Sequence, residues 1–285
     1  MSDVPAFARG LCDDAAVFPP GLAPLADAVP AHRRHRSAPY AALVGPLVLP
    51  ATALDQLHPL VAGIAEALEV SITAPNGPAQ AAKAVEIAAR LPVKVHAVEV
   101  AVPAAMTVRD LVQSLERIDV PVFVEVPRDE RRGDVTAALA DSGHRAKLRT
   151  GGVTAEMYPD ERELAAAVTS AVQAQVPFKA TAGLHHPVRN TDPETGFHQH
   201  GFLNLLLATD AALGGGDEAD VMSVLAERDR GGIAAAVQNL SEGRAAAVRL
   251  AFLSFGTCSI MEPLTELVEL DLAPTSLLHG KRATA

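Results

Sequence analysis

Residues 93–126 read VKVHAVEVAVPAAMTVRDLVQSLERIDVPVFVEV. Val93–Val100 alternates side chains in the two-residue period of a strand, with Val98 and Val100 on one face and Ala97 and Glu99 on the other. Thr107–Ile118 changes to helical spacing, placing Leu111, Leu115 and Ile118 on one stripe and opening with Thr107 and Asp110 at capping distance. Pro121–Val126 returns to strand character, Val122, Val124 and Val126 opposing Phe123 and Glu125. A strand, a helix and a strand in so short a span is the unit of a parallel sheet with helical crossovers.

Outward from this unit the pattern repeats. Val44–Pro50, Leu68–Ala74, Arg145–Thr150 and Val176–Ala182 are further β-rich runs, so strands start near 44, 68, 93, 121, 145 and 176. Ala79–Leu91, behind Pro78 as a first-turn residue, and Asp160–Gln175, with Asp160 and Glu163 spaced for a capping box, read as helices. Six units in series with no change of pattern favour an α/β fold of the (β/α)8 TIM type over an open sheet. The expected organisation is one barrel domain over 1–285, with an N-terminal extension at 1–40 and a His-rich insertion at 184–201. Residues 183–285 leave room for two more units. There Phe202–Leu213, Ala219–Arg228 and Ile233–Leu240 read as helices and Val248–Phe255 as a strand or a helix, so the barrel is allowed to be irregular in its last third.

The 285 residues are 49% hydrophobic, enough for a sizeable core, but hold only 8 Phe and 2 Tyr and no Trp, so Ala, Val and Leu must fill it. The net charge of -10 opposes broad nucleic-acid binding and docking on an anionic membrane. Two cysteines, Cys12 and Cys258, are too few for a disulfide scaffold and suit a reducing compartment. No leader and no apolar run long enough to span a bilayer is read, since Pro46 and Pro50 interrupt the most apolar stretch, Ala41–Leu54. These readings point to a cytoplasmic protein. Phosphate-binding and nucleophile-elbow motifs are missing, and self-association is left open.

Strand parity locates the chemistry. Ser71 and Thr73, Glu99, Glu125, Lys147 and Arg149, and Lys179 and Thr181 each lie opposite an apolar face. If the apolar faces meet the helices, these polar residues face the barrel interior. Unpaired burial of so many charges would cost several kcal/mol each, so they must pair, either as a structural ion-pair layer or as an active site. Lys179 is the expected nucleophile or electrostatic anchor, its pKa lowered by burial and by the cations Lys147 and Arg149. Glu125 and Glu99 are expected to move protons. Arg149 with Gly151-Gly152 is expected to grip an anion, and Ser254, Gly256 and Thr257 to cradle phosphate ahead of a helix. From the loop after the sixth run, His185 and His186 are candidate acid/base groups, and His198 and His200 candidate ligands of a divalent metal ion, the one cofactor considered. The basic run His32-Arg33-Arg34-His35-Arg36 reads as a solvated loop, and Asp13-Asp14 as a segment that plugs the barrel floor or reaches over its mouth.

Pro177-Phe178-Lys179-Ala180-Thr181-Ala182-Gly183 resembles the strand-six motif of class I aldolases of the deoxyribose-phosphate aldolase type, in which glycine follows a Schiff-base lysine by four residues as Gly183 follows Lys179. The resemblance covers these seven residues. Ala180 and Ala182 stand where that family has threonines, and the Lys-Gly-Gly echo, Lys147 with Gly151-Gly152, precedes Lys179 where the family's follows. It implies carbonyl chemistry of a lyase kind on a small anionic metabolite. The alternatives are a metal-dependent barrel hydrolase or lyase using the histidine loop, and a barrel that binds a metabolite without turning it over.

Overall fold

The computed structural model describes residues 3–63 and 66–279. Eight parallel strands close into a barrel. In chain order these are β1 (Cys12–Asp14), β2 (Val44–Pro50), β3 (Leu68–Ala74), β4 (Val93–Ala101), β5 (Val122–Glu125), β6 (Arg145–Arg149), β7 (Phe178–Thr181) and, after a two-stranded hairpin β8 (Asn190–Thr191) and β9 (His198–Gln199), the closing strand β10 (Phe252–Thr257). Each barrel strand pairs with its neighbour in sequence, and β10 pairs with both β7 and β1. The (β/α)8 expectation is thereby met.

Between consecutive strands run α1 (Leu25–Arg36), α2 (Leu54–Val61), α3 (Pro78–Ala88), α4 (Val108–Leu115), α5 (Arg132–Ser142) and α6 (Glu161–Gln173). Local chemistry sets their starts. Pro78 opens α3, the Thr107 hydroxyl accepts from the Asp110 N–H ahead of α4, and the Asp160 carboxylate accepts from the Glu163 N–H ahead of α6. Glu163 does not complete a capping box. It reaches Arg128 and Arg132 instead, at 2.6 and 3.1 Å.

The last third is irregular. Four helices, α7 (Phe202–Leu213), α8 (Glu218–Ala226), α9 (Arg230–Gln238) and α10 (Glu242–Ala251), separate β7 from β10, and α11 (Met261–Glu269) follows it. Among the described residues, only one barrel strand, β10, therefore comes from the region where two units had room. The other is β1, inside the segment read as an extension. A three-residue strand of Cys-Asp-Asp carries no apolar alternation to announce it. The run His32–Arg36 is likewise the end of α1, not a loop, with His32 buried against Asp14 at 2.9 Å.

The apolar faces pack outward as parity requires. Val70, Ile72, Val98, Val100, Val122, Val124, Ala146, Leu148, Phe178 and Ala180 are all buried between sheet and helices. Among the described residues, no helix is long and apolar enough to cross a membrane.

Candidate active site

The opposite faces meet inside the barrel in a continuous chain of charges. Ser254 Oγ donates to Asp13 Oδ2 at 2.9 Å. Lys179 Nζ lies 2.5 Å from Asp13 Oδ2 and 2.6 Å from Glu99 Oε1. Ser71 Oγ also donates to Glu99 Oε1, at 3.0 Å. The second Glu99 oxygen pairs with Lys147 Nζ at 3.0 Å, which pairs in turn with Glu125 Oε2 at 3.2 Å. Glu125 Oε1 then accepts from Arg149 Nε at 2.7 Å. Strand register explains the alignment, since Lys147 is level with Lys179, Glu125 with Lys147, and Lys179 with Ser254.

The chain is graded in depth. Side-chain exposure is 2% for Lys179, 7% for Lys147, 22% for Glu125 and 35% for Arg149. Arg149 and Thr181, level with each other near the C-terminal ends of β6 and β7, mark the mouth that barrel enzymes use. Burial would push the Glu99 carboxyl up, but Lys179 and Lys147 hold it well below the usual carboxylate range. For Glu125, burial is likewise outweighed by Lys147 and Arg149, and its pKa falls.

Lys179 departs from expectation here. Burial alone would favour the neutral amine, but the carboxylates of Asp13 and Glu99 raise its pKa above that of an ordinary lysine. Carboxylates stand between Lys179 and the expected cation neighbours, Glu99 pairing with both Lys179 and Lys147, so the ammonium form is favoured over the free amine.

Close backbone approach shapes the mouth. A Cβ on Gly151 would stand 2.7 Å from Tyr158 Cε1 and 2.9 Å from Gly183 Cα, and one on Gly152 2.2 Å from Met157 Sδ. These glycines let the ends of β6 and β7 meet beneath Tyr158. The Gly151 carbonyl accepts from Arg149 Nη1 at 3.4 Å. After β7 the chain turns through left-handed Ala182 and Gly183, with φ of 65° and 72°, a conformation costly for the alanine. Thr150 Oγ1 steadies this turn by donating to the Ala182 carbonyl at 2.5 Å.

Ser254, Gly256 and Thr257 do not form one cradle. Ser254 belongs to the interior chain, whereas the Thr257 hydroxyl donates to the Ser259 carbonyl at 2.9 Å. Gly256 faces the Thr181 hydroxyl, which a Cβ there would approach to 3.6 Å.

The histidines separate. His198 is exposed and bonded to Thr191 Oγ1 at 3.0 Å. His200 is fully buried, with Nε2 donating to the Pro159 carbonyl at 2.8 Å and Nδ1 facing Arg189 Nη1 at 3.1 Å. Both His200 nitrogens are engaged, so the expected His198–His200 metal pair does not form. His186 Nδ1 pairs with Glu266 at 2.5 Å, and His185 Nδ1 lies 3.6 Å from Cys258 Sγ and 3.9 Å from Glu262 Oε2.

Asp13 is the member of the interior charge chain that sequence reasoning missed as such. A signal for it existed. Glu99 and Glu125 leave one of the inward cations Lys147, Arg149 and Lys179 without a partner, and a buried charge needs one. Gly45 is its complement, because a Cβ there would stand 2.2 Å from Asp13 Oδ1.

In comparisons with protein-family models and with curated proteins, nothing matches the chain.

Proposed function

We propose that the chain is a barrel enzyme that binds a small anionic, carbonyl-containing metabolite at the C-terminal mouth and makes or breaks a bond beside the carbonyl, in the manner of a lyase or aldolase. One observation carries this reading: the paired charges run from a sealed anchor at Lys179 to an accessible end at Glu125 and Arg149.

A carboxylate or phosphate arriving at the mouth competes with Glu125 for the Arg149 guanidinium, whose planar fork suits either anion. Glu125, released from Arg149, becomes a base for a proton on the carbon next to the carbonyl. The electron pair left behind moves onto the carbonyl oxygen, where the Lys147 ammonium stabilises it. Glu99 holds Lys147 in place through its second oxygen, and Lys179 with Asp13 fixes Glu99 from below. Lys179 serves this chemistry as an electrostatic anchor. Gly256 leaves room beside the Thr181 hydroxyl for the substrate.

Proton abstraction is testable without the full reaction. Pyruvate, other 2-oxo acids and phosphorylated aldehydes are incubated with the protein in deuterated water, and exchange at the carbon beside the carbonyl is followed by NMR. Exchange is expected with the wild type and lost with Glu125→Gln. Exchange that survives that substitution removes Glu125 from the role. A borohydride-trapped adduct on Lys179 overturns the anchor assignment in favour of a covalent mechanism, and binding without exchange makes the barrel a metabolite binder.

A further inference from the structure

Beside the mouth, three side chains outside the charge chain converge from separate segments. His185 follows β7, Cys258 follows β10, and Glu262 lies in the first turn of α11. One ligand atom from each falls within 4.8 Å of the others. We propose that His185, Cys258 and Glu262 bind one divalent transition-metal ion of the zinc class, leaving a coordination position open at the barrel mouth.

The donor set defines the metal. Thiolate, imidazole and carboxylate together suit zinc, whereas oxygen-only cages suit magnesium or calcium. The spacing fits as well. Zinc–sulfur and zinc–nitrogen bonds of about 2.3 and 2.05 Å at a tetrahedral angle place the two donors about 3.6 Å apart, and His185 Nδ1 and Cys258 Sγ stand 3.6 Å apart. The corresponding nitrogen–oxygen edge is about 3.4 Å, so Glu262 Oε2, at 3.9 Å and half-exposed, has only a short move to make.

The surroundings hold the ligands in place. His186 pairs with Glu266, one turn beyond Glu262 on α11, and Glu266 is held in turn by Arg230 at 3.2 Å. Successive histidines thus face successive turns of one helix, which aims the His185 ring at Glu262. Gly21 lies over Cys258, where a Cβ would come 3.0 Å from the cysteine's own. Zinc sites with three protein ligands keep their fourth position for water or substrate, and the pairing of β7 with β10 sets this one next to Thr181 and Gly256.

Cobalt(II) substitution tests the assignment on the full chain. After treatment with chelator, the protein is titrated with Co2+ and then displaced with Zn2+. One equivalent is expected to bind with a near-ultraviolet thiolate-to-cobalt charge-transfer band, which Cys258 alone can supply because Cys12 is sealed in the core. His185→Ala and Cys258→Ser are expected to weaken zinc binding more than about a hundredfold, since even outer-shell partners of a metal are worth 10- to 100-fold. The wild type provides a measurement free of folding effects, because zinc is expected to protect Cys258 from alkylation by iodoacetamide. Cobalt bound without the thiolate band, alkylation indifferent to zinc, or no binding at micromolar metal each overturns the proposal.

Discussion

Lys179 and Asp13, 166 positions apart in sequence, meet in a buried ion pair of 2.5 Å. The same ammonium holds Glu99 on its other side. Lys179→Met would leave two carboxylates facing each other across an apolar side chain. It is expected to cost about 3–5 kcal/mol in urea denaturation, the usual penalty for stranding buried charges. Asp13→Asn is expected to cost less, because Glu99 still neutralises the lysine. A loss below about 1 kcal/mol for Lys179→Met would show that the layer relaxes without it.

Acid should act in two stages. Burial, with Arg189 alongside, pushes His200 down to about 4 from 6.5, against its hydrogen bond to the Pro159 carbonyl. The unfolded chain takes up that proton first, so stability is full above pH 6.5 and declines as the pH falls toward 4. Glu99 and Glu125 lie below their ordinary 4.5, so their contribution is complete above that pH and drains away beneath it. Lys179, raised above 10.5, contributes fully below that value and loses its contribution only in stronger base. Thermal melts of the wild type and His200→Gln across this range check the assignment. The substitution is expected to flatten the upper stage and leave the lower one, and an unchanged upper slope would refute it.

Arg149 should matter for binding far more than for stability. Its pair with Glu125 is partly open to water, and exposed pairs contribute at most about 1 kcal/mol. Arg149→Ala is expected to melt within a few degrees of the wild type but to lose at least about tenfold in affinity for 2-oxo acids by calorimetry, one lost charge-assisted contact. Arg149→Lys should recover only part of this, having no fork. Equal affinities in all three proteins would place the anion elsewhere.

Two glycines should respond in opposite ways to alanine. At Gly45 the new Cβ meets Asp13 Oδ1 at 2.2 Å, so Gly45→Ala is expected to destabilise by about 1–3 kcal/mol through overpacking. At Gly243, within α10, the Cβ enters open space, and alanine there is expected to stabilise by about 0.4–1 kcal/mol by restricting the unfolded chain. Denaturant midpoints decide both. A silent Gly45→Ala would mean that Asp13 has another place to go.

Six of the eight barrel strands are legible because each has to satisfy two environments, helices outside and its neighbours inside, and only an alternating pattern does so. The same alternation gathers Glu99, Glu125, Lys147, Arg149 and Lys179 in advance. It fails at β1, where three residues are too few for a period, and along β10, where Val248 belongs to the preceding helix and the strand begins at Phe252. Spacing also misleads at His198 and His200. Two positions apart on a short hairpin, they take different partners, and the neighbour His185 does find, Cys258, lies 73 residues away. Such a contact exists only once the barrel has closed.

That closure imposes an order on assembly. Ser254 and Asp13 touch across 241 positions of chain, so the first strand made has no partner on one side until the last one emerges. Contacts this distant slow folding through the entropy of closing so large a loop. Once β10 docks, β1 is paired on both sides, by β2 and by β10, and the closed barrel presents no bare strand edge to another chain.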